Sequence, residues 1–172
     1  ALSQYFRASG SYPSTGLSRI NLYSLFAERG GQLLRPAGRL GMLFPTGIAT
    51  DQNNKDLFFG LAKDRRLVGV FDFENRGVFF PEVHAQFRFA LLVFCGAPVP
   101  EPAHFGFFLE KTSDIHDHSK VFALTSEDLE LLSPESGTAP IFRNAQEAVL
   151  VRTIYRRHKT VADWQDRLGV PQ

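Results

Sequence analysis

The chain has 172 residues, 44% of them apolar and 22% charged, and its 19 basic and 18 acidic side chains leave a formal net charge of +1. That length suits one domain with its own core, or a piece of a larger one. The balanced charge excludes a globally basic nucleic-acid binder, so any basic surface must be local. A single cysteine, Cys95, excludes an intrachain disulfide and fits a reducing, cytoplasmic setting. It ends an apolar run and reads as a small buried side chain. No apolar run approaches the ~18 residues needed to span a bilayer, so no membrane partner is expected. The chain starts at Ala1 rather than methionine, and its polar first residues lack an apolar signal core. Processing or excision from a longer polypeptide is the expectation.

Residues 1–17, rich in Ser, Gly, Pro and Tyr, read as an irregular arm. A helix follows over residues 18–34, with Leu22, Leu25, Phe26, Arg29 and Leu33 at helical spacing. Gly30-Gly31 weakens its end and Arg35-Pro36-Ala37-Gly38 stops it. The run RLGMLF, Arg39 to Phe44, reads as a buried strand of a parallel sheet, closed by Pro45-Thr46-Gly47. Residues 52–62 read as a helix with Leu57, Phe58 and Leu61 inward and Asp51 near its start. Two further strands, 67–73 and 87–94, are joined by a tip too short for a crossover helix, so they must be antiparallel neighbours.

A linker over 96–102 precedes a short strand over 105–109 and a polar loop over 111–120. Thr125 or Ser126 caps a short helix ending near Leu132. Asn144-Ala145-Gln146-Glu147 resembles a capping box and opens a last helix. That helix has Ala148, Val151, Ile154 and Tyr155 on one face and Arg152, Arg156 and Arg157 on another. Helix–strand–helix–strand order followed by a reversed strand pair is α/β material.

Three stretches carry a resemblance: 21-NLYSLFAERGGQLLRPAGRLGMLFPTGIATD-51, 71-FDFENRGVFFPEVHAQFRFALLVF-94 and 140-PIFRNAQEAVLVRTIYRR-157. In order, they resemble the later part of the catalytic domain in large adenine-specific DNA methyltransferases of the fused restriction–modification (type IIG) and phage-defence kind. The shared patterns are N-x-Y-x-x-F-x-E, L-x-P-x-G-R-x-G-x-x-x-P-T, D-F-E-N, F-P-x-V-H and P-I-F-R. The resemblance implies a partial Rossmann-like fold, the later half of the sheet with an antiparallel terminal strand, over residues 18–110. A small, mostly helical extension toward a DNA-recognition region is implied over 111–172.

It further implies transfer of a methyl group from S-adenosylmethionine to the exocyclic amine of adenine in double-stranded DNA. The Asn/Asp-Pro-Pro-Tyr/Phe tetrapeptide of that family does not occur here, nor does its glycine-containing cofactor loop. No catalytic, cofactor-binding or metal-binding residue is therefore assigned. The chain is expected to be a fragment, inactive alone, whose remaining polypeptide lies upstream of Ala1. The alternative is a non-catalytic binding module derived from a methylase fold.

An adenine inside a duplex must be swung out of the stack before its amine can react. The extruded base stacks on flat side chains, at ~1–3 kcal/mol per base. The resemblance implies that Phe80, with Phe79 as runner-up, is such a surface, and Pro81 restricts the backbone beside it. Read from the residues alone, both rings simply cover the end of the sheet. Pro45 and Thr46, after a strand's carboxyl end, border the expected cleft, where open α/β sheets bind ligands. Asn75, Arg76 and His84 flank the aromatic tip, and Arg152, Arg156 and Arg157 could track a DNA backbone; these are the expected DNA contacts. Each also reads as a solvated charge or polar turn. Asp114-Ile115-His116-Asp117-His118 matches no strong metal-ligand spacing and reads as a polar surface loop.

Overall fold

The computed structural model describes residues 2–100 and 102–158. Its centre is a five-stranded mixed sheet whose spatial order differs from chain order: β1 (Arg39–Pro45), β3 (Arg88–Cys95), β2 (Leu67–Glu74), β4 (Ala103–Leu109), β5 (Val121–Leu124). Strand β3 runs antiparallel to both β1 and β2, so β1 and β2 point the same way without touching. Strand β4 pairs parallel with β2, and β5 returns antiparallel beside it. This is the expected class, a partial Rossmann-like sheet with an antiparallel strand inserted near its end, followed by an extension that is mostly helical.

Two readings of the N-terminal part need correction. The arm contains a helix, α1 (Leu2–Ala8), and its tail is tied down by Glu28, which accepts from the backbone N–H groups of Ser14 and Thr15, both at 2.9 Å. Strand β1 is not buried in a parallel sheet. Among the described residues it is the sheet's edge, antiparallel to its one neighbour, and only its Phe44 is buried. With one strand partner and little cover, its apolar run is left facing outward.

Helix α2 (Leu22–Leu33) is shorter than expected, and of its apolar residues at helical spacing only Leu25 is buried. The reason is Gly30, where an added Cβ would collide with Leu40 Cδ1. The helix meets the sheet through small residues such as Ala27 and Gly30, which turns Leu22, Phe26 and Leu33 to the outside. A one-turn helix, α3 (Gly47–Thr50), and a short 3-10 turn lead into α4 (Lys55–Lys63), which buries Leu57, Phe58 and Leu61 as read.

In β3 the side chains alternate. Ala90, Leu92 and Phe94 are buried in the core shared with α3 and α4, whereas Phe89, Leu91 and Val93 are half-buried. One face of the sheet is thus packed and the other is partly open. Helix α5 (Ser126–Leu132) starts with a reciprocal Thr125–Asp128 capping box, and α6 (Ala145–Arg157) is capped by Asn144 Oδ1, which accepts from Glu147 N–H at 2.8 Å. The part of the C-terminal extension beyond residue 158 lies outside the described residues.

Candidate functional site

The carboxyl ends of β1, β2 and β4 lie on one side of the sheet, with the start of β3 among them. Register places Pro45 opposite Phe89, and Phe89 opposite Phe73. The turn after β1 and the loop between β2 and β3 are therefore neighbours across a single strand. That brings together the segments expected to border a cleft and to present an aromatic ring.

The loop opens with a tight turn. Arg76 and Gly77 both have positive φ, +42° and +74°, and Val78 N–H closes the turn onto Asn75 O at 2.8 Å. Glycine takes this conformation freely, and the non-glycine Arg76 is carried with it. The loop then folds over the open face of the sheet. Phe79 makes edge contacts with Phe73 and Phe89 at 5.3 and 5.2 Å, beneath which Phe73 and Phe89 stack at 5.4 Å. Among the described residues Phe80 has one aromatic ring contact, Phe89 at 5.1 Å, and it is 41% exposed. Phe79 thus closes the sheet end, while Phe80 presents free ring surface beside it.

Asn75, an expected DNA contact, is buried under the loop. It is 1% exposed and its amide is fully committed. Nδ2 donates to Phe80 O (2.9 Å) and Val83 O (2.8 Å), and Oδ1 accepts from Phe80 N–H (2.8 Å). Thr46 is likewise buried, and its hydroxyl donates to Asp72 Oδ1, so it offers no free hydroxyl. Pro45 is exposed. Arg76 is exposed but bridged to two carboxylates, Glu74 at 2.5 Å and Glu110 at 2.6 Å. His84 is exposed, with Nδ1 accepting from Gln86 N–H at 3.3 Å.

Arg152 and Arg156 do not form a free basic stripe. Both pair with buried Asp128, at 3.2 and 2.7 Å, although Arg156, like Arg157, is exposed. Burial opposes ionisation of Asp128, but the Thr125 N–H and these guanidiniums outweigh it and hold the carboxyl below its usual range. The Asp114–His118 segment is organised around Asp114, which accepts from Glu110 and Lys111 N–H groups and pairs with Lys120 at 3.1 Å. Among the described residues no three His, Cys, Asp or Glu side chains gather in a metal-binding group.

Asp72 lies in the D-F-E-N segment, and the sequence reading assigns it no role. It is fully buried. Burial pushes its carboxyl up, and the Thr46 hydroxyl, Arg88 and the Phe108 backbone N–H only partly offset this. Arg88 Nη1 stands 3.3 Å from Asp72 Oδ2, which has no hydrogen-bond partner among the described residues. Opposite lies an irregularity in the β2–β4 pairing, where Phe108 takes φ +58°. The Phe108 ring carries two guanidiniums, Arg88 at 5.0 Å and Arg143 at 5.9 Å. The three resembling stretches therefore converge: Thr46 from the first, Asp72 and Arg88 from the second, and Arg143 from the third.

The arrangement offers an exposed ring, two arginines on an aromatic face and a hollow of about 310 Å³ lined by Glu74, Arg76, Ala85, Gln86 and Arg88. It can stack a flat group and hold an anion nearby. No family model and no curated protein matches the chain. Among solved structures it is similar to the type IIG restriction endonuclease BpuSI, with a TM-score of 0.51 and 19% identity over 96% of this chain. The match spans 20% of that chain, and at this identity the likeness is one of fold.

Proposed function

We propose that this chain is the later part of the catalytic domain of an adenine-specific DNA methyltransferase in a restriction–modification or phage-defence system. Its task is to receive the target base and steady the DNA beside it. Phe80 stacks on the adenine swung out of the duplex, and the Arg88–Phe108–Arg143 cluster supplies positive charge for nearby phosphates. S-adenosylmethionine and the tetrapeptide that orients the adenine amine belong to the remaining polypeptide. In the whole enzyme the methyl group passes directly from the sulfonium to the amine, and catalysis is mostly positioning and electrostatics. The division into an arm, a half-sheet and an extension toward a recognition region is part of the same proposal, as is a cytoplasmic setting.

The observation that carries this reading is the loop between β2 and β3. It leaves one aromatic ring exposed at the carboxyl end of a sheet whose next-to-edge strand is antiparallel. The likeness to a type IIG restriction endonuclease supports it. Reading the coding sequence upstream of Ala1 tests it. A glycine-rich loop and an Asn-Pro-Pro-Tyr/Phe tetrapeptide there are expected, whereas a start codon directly before Ala1 leaves the non-catalytic module. Calorimetric titration of the 172 residues with S-adenosylmethionine is expected to show no tight binding, and tight binding would overturn the division of labour.

A further inference from the structure

Residues 75–87 connect β2 to β3 without helix or strand, and such connections are the segments that open most easily. Within them Phe80 is 41% exposed and, among the described residues, its ring has one aromatic neighbour, Phe89. A ring this exposed is only partly held by its own packing. Its backbone, however, is held on both sides by one side chain. Asn75 Oδ1 accepts from Phe80 N–H at 2.8 Å, and Nδ2 donates to Phe80 O at 2.9 Å and to Val83 O at 2.8 Å. Only one orientation of the amide satisfies all three, because the oxygen must face the N–H and the nitrogen the two carbonyls. Asn75 is itself anchored, with its N–H donating to Phe87 O at 3.1 Å across the base of the loop.

We propose that Asn75 is a positioning residue for base stacking: its buried amide clamps the backbone around Phe80-Pro81 and fixes the Phe80 ring in the orientation that receives an extruded base. This rests on the base-stacking reading of Phe80 given above. A preorganised ring spares the complex the entropy of ordering the loop on binding. Other side chains cannot replace the amide. Alanine makes none of the three bonds, and an ionised aspartate turns an acceptor toward two carbonyls.

The test measures binding of the 172-residue chain to two labelled duplexes by fluorescence anisotropy. One carries an adenine opposite an abasic site, which is cheap to extrude; the other is fully paired. The quantity read is the preference for the first over the second. Wild type prefers the unpaired adenine by about tenfold or more, the share that ring stacking supplies. Phe80→Ala abolishes the preference. Asn75→Ala removes most of it and leaves affinity for the paired duplex unchanged, an outcome that general destabilisation does not produce.

Asn75→Asp adds a signature of the hydrogen bonds themselves. A protonated carboxyl offers one donor and one acceptor, enough for two of the three bonds, so part of the preference returns at acid pH and fades as the carboxyl ionises. Glu74, Arg76, Glu82, His84 and Arg88 surround the loop in both proteins, so the wild-type profile is the control. Full preference in Asn75→Ala with none in Phe80→Ala overturns the clamp alone. Full preference in Phe80→Ala, or none in wild type, overturns the stacking reading and the clamp with it.

Discussion

Asp72 brings a carboxylate into the core, where ionisation is costly unless partners compensate. Thr46, Arg88 and the Phe108 N–H compensate in part, and burial still raises its pKa above the ordinary value of about 4. The sign of the pH effect follows. In the folded state Asp72 holds its proton to higher pH than in the unfolded chain, so stability falls as pH rises from about 4 through the folded value. Asp114 and Asp128 act in a separate window, since both are held below the usual range and their contribution is lost only as pH falls below about 4. Asp72→Asn keeps an oxygen for the Thr46 hydroxyl and removes the titration. Urea midpoints measured upward from pH 4 are expected to decline for wild type and to lose that slope in the variant; an unchanged slope assigns the effect to another group. Nothing local in FDFEN distinguishes this residue from Glu74 two positions on. The difference is made by the turn after β1 and the bulge in β4, both distant in sequence. The hydrogen bonds by which Asn75 holds the loop, a residue read only as an expected DNA contact, escaped for the same reason, because an asparagine before Arg-Gly reads as a turn and its amide partners lie five and eight residues away.

Helices α5 and α6 are joined by one carboxylate. Asp128 is the third residue of α5, where it completes the Thr125 capping box, and it also receives Arg152 and Arg156 from α6. Removing it takes away a cap worth about 1 kcal/mol and two ion pairs. The guanidiniums are partly solvated, so the pairs add little beyond that. Asp128→Ala is expected to lower stability by about 1–2 kcal/mol in urea unfolding, against under about 0.5 kcal/mol for Arg157→Ala on the exposed face. Equal effects would refute the joint. At this scale the sequence was legible wherever a signal was local. The α4 periodicity, the caps of α5 and α6, and the β2–β3 pairing forced by a short connection all appear in the structure. Strand β5 was missed because four residues, VFAL, beside a capping threonine carry no period of their own. The outward face of α2 was missed because Gly30 reads as a helix weakener, whereas here it is the contact with Leu40.

At the scale of the whole molecule, the apolar surface is unevenly covered. An apolar run such as RLGMLF reads the same at a sheet's centre or edge, because burial depends on how many strands flank it. Among the described residues only β3 flanks it, and Met42 and Leu43 are exposed. Helix α2, which packs on the same strand, turns Leu22, Phe26 and Leu33 outward as well. Scattered exposed side chains are ordinary, but a strand edge with unpaired backbone groups beside apolar side chains is a template for further pairing. Pro45 removes one donor at the end of β1, and Arg39 places a charge at its start, which shortens the edge without closing it. The proposed function gives this edge an occupant, a strand of the remaining polypeptide. Without that occupant the chain is expected to self-associate. Sedimentation velocity should show a weight-average mass that rises with concentration, and Met42→Lys with Leu43→Lys should return it toward the monomer. The two substituted side chains lie outside the core, so the folded state itself should survive the change. A wild-type chain that stays monomeric across the same range would mean that the exposed strand is protected by its own twist and charge, and that the need for a strand beside β1 does not follow from its surface.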